Sequence, residues 1–160
     1  MDTAWVVLGV AGSVALFVLV WVGIAVAVSH FGGWKALANR YEAHLPFAGT
    51  CWNWQTIVLG DNSQYSNCMK VGVDQDGLYL VPNILFRVAH VPLFIPWSDI
   101  DAQWREKSML GISSRYVELR LTTEPDLKIC VPKDLIEKIQ AELLQLRAAD
   151  KLKIRDVAPA

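Results

Sequence analysis

Ala4-Trp-Val-Val-Leu-Gly-Val-Ala-Gly-Ser-Val-Ala-Leu-Phe-Val-Leu-Val-Trp-Val-Gly-Ile-Ala-Val-Ala-Val-Ser29 runs for 26 positions without a charged side chain. A hydrocarbon core about 30 Å thick needs roughly 20 apolar residues at about 1.5 Å each, so this stretch is long enough to cross. Backbone hydrogen bonds must close internally in lipid, and for one such segment that means an α-helix. The expectation is a leader at 1–3, a transmembrane helix at 4–29 and a domain that works beside a bilayer.

The leader Met1-Asp2-Thr3 carries no Lys or Arg, and the apolar run exceeds the 7–15 residues typical of a cleaved signal peptide. Ala25-Val26-Ala27 is the one feature that mimics a cleavage site, so a retained anchor is the favoured reading. Lys35 and Arg40 are the first basic residues, and both follow the span. The positive-inside rule then puts the C-terminal domain in the cytoplasm. Trp5 at one end and Phe31, Trp34, Lys35 and Arg40 at the other are the expected interface anchors. Gly9, Ser13, Leu16, Val20, Gly23 and Ala27 recur at spacings of three and four, so they share one helix face with small-xxx-small pairs. That face is the candidate contact for a partner span or for a second copy of this chain.

Asp2 is the one charge in the first 29 residues, so the remainder holds 15 basic and 15 acidic side chains. A neutral domain has no overall field to draw in nucleic acid. About 130 residues suit one compact domain. Cys51, Cys68 and Cys130 have no metal-ligand spacing; reduced buried thiols are expected, with a Cys51–Cys68 disulfide as the alternative in an oxidising compartment. His30, His44 and His90 have no recognisable nucleophile or carboxylate constellation about them, and no catalytic residue, cofactor or metal ligand is predicted.

His30-Phe31-Gly32-Gly33 predicts a hinge. Trp34 to His44 follows as a short amphipathic helix that could lie on lipid or, preferably, pack on the next domain. From Cys51 the period falls to two and turn residues recur, which predicts antiparallel strands at 52–59, 69–73, 78–81, 100–105, 115–122 and 127–131. Asp74-Gln75-Asp76-Gly77 lacks the later ligands of a calcium loop and is predicted as a hairpin turn. Residues 82–97 combine three prolines with many apolar groups, predicting short edge strands about a projecting turn. Ile84, Leu85, Phe86, Arg87, His90, Leu93 and Phe94 form the candidate interaction surface there, because both faces of a strand cannot point inward. Leu135, Ile136, Ile139, Leu143 and Leu146 make the apolar stripe of a final helix beginning near Pro132, suited to plug a curled sheet. The segment 150–160 reads as a flexible basic tail.

Strands followed by one C-terminal helix, with Leu93-Phe-Ile-Pro-Trp-Ser-Asp-Ile100 midway, resemble pleckstrin-homology-like domains, including GRAM and bacterial variants, over residues 50–149. Gly33-Trp34 through Arg40-Tyr41 is similar to the segment after the span of bacterial single-pass proteins of this kind. The resemblance implies a partly open barrel or sandwich of about seven antiparallel strands capped by a helix, anchored in a bacterial inner membrane. Phosphoinositide-binding members carry several basic residues in the first hairpin, whereas Asp61 to Lys70 holds one lysine. The leading expectation is therefore a non-catalytic membrane-anchored scaffold, an accessory subunit of a larger membrane complex. A peripheral module for anionic lipid is the alternative.

Overall fold

The computed structural model describes residues 3–60, 63–87, 90–109 and 112–156. Helix α1, Thr3–Phe31, is followed after two glycines by α2, Trp34–Tyr41. Eight strands come next: β1 Thr50–Leu59, β2 Ser63–Val73, β3 Gly77–Pro82, β4 Leu93–Pro96, β5 Ile100–Met109, β6 Ile112–Leu121, β7 Lys128–Pro132 and, after helix α3 (Lys133–Gln145), β8 Ile154–Asp156. They form one curled half-barrel sheet in the order β4-β3-β2-β1-β7-β6-β5-β8. Every neighbouring pair is antiparallel except β5 and β8.

Curvature originates in β1. It pairs with β2 along most of its length but with β7 only at Val58–Cys130 and Leu59–Ile129. Register shifts between Trp52 and Ile57 bend the strand, with Trp54 and Asn67 facing the break at φ 59° and 49°. Bulges of this type tighten local twist and turn a strand from one layer into the next. Helix α3 then lays Leu135, Ile136, Ile139 and Leu143 against Ile57, Leu59, Met69, Leu119 and Ile129 in one core. It stops at Gln145 because Arg147 adopts a left-handed φ of 54° while the Ala148 amide donates to Leu143 O at 2.8 Å, closing the last turn.

Four expectations need correction. The glycine pair is a packed corner: Gly33 takes φ 81°, a Cβ on Gly32 would lie 2.5 Å from Ser63 Oγ, and one on Gly33 would strike Leu127 Cδ2. Glycine is needed there for close approach as well as for the turn. Residues 42–49 cover the outer face of β3 and β4, so β3 is buried along its whole length. Phe47 stacks on Tyr79 at 4.5 Å between ring centres and reaches Phe94 at 6.4 Å. This second layer lets apolar residues point both ways from those strands. The strand count is eight, and the segment taken for a free tail supplies the extra one: Leu152 is buried, Ile154–Asp156 extend β5, and Arg155 pairs with Asp101. Alternation of Leu152 and Ile154 with Lys151, Lys153 and Arg155 is a strand pattern that the run of positive charge obscures. The first hairpin is also longer than expected, because β2 begins at Ser63.

Candidate functional site

Helix α1 contains the 26 residues Trp5–His30, whose most apolar 18-residue window has a mean hydropathy of 2.5 and almost no burial, long and apolar enough to cross a membrane. Its two long faces are used differently. Trp21, Ala25 and Ser29, four apart, turn toward the domain, and Ala25 and Ser29 are buried there. At about 100° per residue, Gly9, Ser13, Leu16, Val20, Gly23 and Ala27 fall on the opposite side. Leu16, Val20, Gly23 and Ala27 are exposed, and a Cβ on Gly9 or Gly23 would meet nothing within 4 Å. Ser13 donates its hydroxyl to Gly9 O at 2.9 Å, so this face carries no unsatisfied polar group at that point.

At the base of α1 the domain presents an aromatic cluster. Phe86, half-buried at the end of the single-turn 3-10 helix Ile84–Phe86, lies 5.2 Å from Trp21 between ring centres. Beneath it, Trp34 stands 5.6 Å from Tyr65 and 5.3 Å from His90, and donates from Nε1 to Val91 O at 3.0 Å. Tyr65 Oη and His90 Nε2 are 3.2 Å apart. A cavity of about 190 Å³ lined by Trp21, Ala25, Tyr65, Cys68, Phe86 and His90 separates helix from sheet. Burial pushes the Tyr65 phenol and the Cys68 thiol well toward their neutral forms. Such a nest joins helix, turn and sheet.

The site residues expected from sequence are therefore scattered. Trp34 is 1% exposed and cannot serve as a lipid anchor, since its ring fills the core and its indole N–H is engaged by backbone. Leu93 and His90 are buried, which removes them from the candidate interaction surface, and Phe94 is half-covered by Phe47. Ile84, 81% exposed, and Arg87 remain on the surface. Trp5, Lys35 and Arg40 are exposed. The side chains of Phe31 and Leu85 lie outside the described residues.

Two features escaped the sequence reading. One is the contact of Phe86 with Trp21. The other is Trp54, 67% exposed in a left-handed conformation that non-glycine residues adopt at a cost of order 1–2 kcal/mol. An outward tryptophan on a bulged strand resembles the aromatic anchors of protein interfaces. Elsewhere a cleft of about 600 Å³ runs between residues 40–48 and β3–β4, bordered by Tyr41, whose phenol bonds Asp99 at 3.0 Å and also meets Thr123. On the outer sheet face, buried Glu118 accepts from Arg120 Nε at 2.6 Å, with Arg105 at 4.0 Å. Among the described residues no cluster of three metal-ligating side chains occurs, and no disulfide joins Cys51, Cys68 and Cys130. Compared with family models and with characterised proteins, the chain matches none.

Proposed function

We propose that this chain is a non-catalytic, single-pass scaffold of the bacterial inner membrane. Its pleckstrin-homology-like domain lies on the cytoplasmic side, and it serves as an accessory subunit that holds another membrane protein or a second copy of itself. The observation that carries the reading is the division of α1 into two faces. One face is committed to its own domain through Trp21, Ala25 and Ser29, and the opposite face, which carries the small residues, is left open from Gly9 to Ala27. Small residues let helix backbones approach closely in lipid, where packing and not the hydrophobic effect drives association. Because domain and small-residue face point apart, a partner span can dock without displacing the domain.

Trp54 supplies a second, soluble contact of the same scaffold. The strand order 4-3-2-1-7-6-5 with a helix closing the mouth supports the pleckstrin-homology-like assignment. Lys35 and Arg40, exposed just beyond α1, support the cytoplasmic orientation.

The test is crosslinking in native membranes followed by purification in mild detergent. Gly9→Ile and Gly23→Ile together should abolish the crosslinked species while leaving the chain's thermal unfolding unchanged. Retention of the species in the double variant would remove the small-residue face from the function.

A further inference from the structure

The 3-10 turn Ile84–Phe86 meets α1 through the contact of Phe86 with Trp21. We infer that this turn is a second membrane anchor: Ile84 and Phe86 enter the acyl region beside the span, with Arg87 at the headgroups, so that the domain is partly embedded and not suspended above the lipid. The inference rests on α1 crossing the bilayer as proposed above.

Trp5 and Trp21 are 16 residues apart, roughly 24 Å along a helix, while the hydrocarbon core is about 30 Å thick. With Trp5 at one interface, the opposite hydrocarbon edge falls near residue 25, one turn beyond Trp21. Sliding the helix so that Ser29 marks that edge carries Trp21 deeper. Sliding it the other way would bring charged Asp2 into the hydrocarbon, which is strongly disfavoured. Every tolerated placement therefore keeps Trp21 within the acyl region. Phe86, 5.2 Å away, is within about one helical turn of that depth.

Ile84, two residues earlier on the same turn and 81% exposed, is a large apolar side chain with no protein cover. Arg87 is exposed at the other end of the turn, where a long cationic side chain can reach back to phosphate. No polar side chain on the turn opposes insertion, since Ile84-Leu85-Phe86 is wholly apolar. The occupant is thus the bilayer that already surrounds α1.

Depth-dependent fluorescence quenching decides the matter. The full chain is reconstituted in phosphatidylcholine vesicles that carry bromines at two depths, near the top and near the end of the acyl chain, with the fluorescent amino acid Anap replacing Ile84, Leu16 or Leu144 singly. Leu16 lies within α1, and Leu144 is exposed on α3 near Leu146, whose carbonyl meets Gln75 at the end of β2 remote from Ser63 and Gly32. The Ile84 and Leu16 probes should both lose more than half their emission, and the Leu144 probe almost none. Quenching at Leu16 with none at Ile84 would overturn the anchor while leaving the span intact. Absence of quenching at Leu16 would sink the transmembrane reading and the anchor with it.

Discussion

Replacing Trp34 separates two physical roles for the same residue, lipid anchor and core. The ring is 1% exposed, so Trp34→Ala removes most of the 150–250 Å² that a tryptophan buries, worth about 4–6 kcal/mol at about 25 cal/mol per Å². Measured truncations of buried tryptophan cost about 3–5 kcal/mol, so about 4 is the working figure. At about 2–4 °C per kcal/mol for a domain of this size, Tm should fall by about 8–16 °C. Trp34→Phe keeps much of the packing but leaves Val91 O without its 3.0 Å donor, which costs about 1–3 kcal/mol. Lys35→Ala, one residue on and exposed, should stay within about 0.5 kcal/mol of the parent. The assay is thermal and denaturant unfolding of the full chain in detergent, followed by circular dichroism. An unchanged Tm in Trp34→Ala, accompanied by weaker vesicle binding of the protein, would refute the core placement and restore the anchor.

The corner after α1 gives a paired test. Gly33→Ala must hold φ 81° and also displace Leu127, whereas Gly60→Ala at φ 64° meets open space. Gly60→Ala should cost about 1 kcal/mol from backbone conformation alone, and Gly33→Ala about 1–3 kcal/mol more through overpacking. Equal losses in denaturant unfolding would mean that the corner is not packed. Tyr65 predicts an alkaline limit. Burial raises its pKa in the folded chain above the ordinary tyrosine value near 10, so as pH rises the unfolded chain loses the proton first. Its stabilising contribution is whole below about pH 10 and declines above it, by up to about 1.4 kcal/mol per pH unit. Tyr65→Phe should flatten that slope in unfolding measured from pH 9 to 11.5, and an unaltered slope would assign the loss to another group.

The sequence declares most strongly those elements whose chemistry repeats along the chain. Twenty-six uncharged residues leave a helix as the sole arrangement in lipid, and the stripe Leu135 to Leu143 marks a helix with one buried face. Alternation marks six strands, five of them within about four residues of their observed ends, while β2 begins six residues before the expected start. What stayed hidden depended on contacts between distant segments. Nothing local to Trp34 distinguishes a headgroup anchor from a core side chain; Val91, Tyr65 and His90, drawn from three other segments, decide it. Phe94 reads as surplus apolar surface because Phe47, in an irregular connection, gives no sign that it packs over it; Leu93 reads the same way although it faces the main core. β8 was masked by charge, and the strain at Trp54 is a property of the register break with Asn67 and not of either residue.

These contacts also narrow where a partner can bind. An exposed sheet edge is a ready docking strand, but here β4 is followed laterally by the Glu42–Leu93 bridge and the Ala43 amide bonded to Pro92 O at 2.9 Å, and β5 is covered by β8. The mouth of the half-barrel is filled by α3, and the outer face of β3 and β4 by residues 42–49. Addition of a strand to β4 or β5 would have to displace a segment of the chain itself. In the proposed scaffold, the small-residue face of α1 and the bulge at Trp54 are the candidate side-chain contacts. They differ in solvent: the first lies on a segment fit for lipid, the second on a strand of the water-facing domain. In the proposed scaffold, a partner engaging both would have to be a membrane protein with a soluble portion on the same side, because the packed corner at Gly32 and Gly33 sets the relation between the two surfaces. In that proposed arrangement, linking two weak contacts through a packed corner would raise the effective concentration of the second once the first has formed.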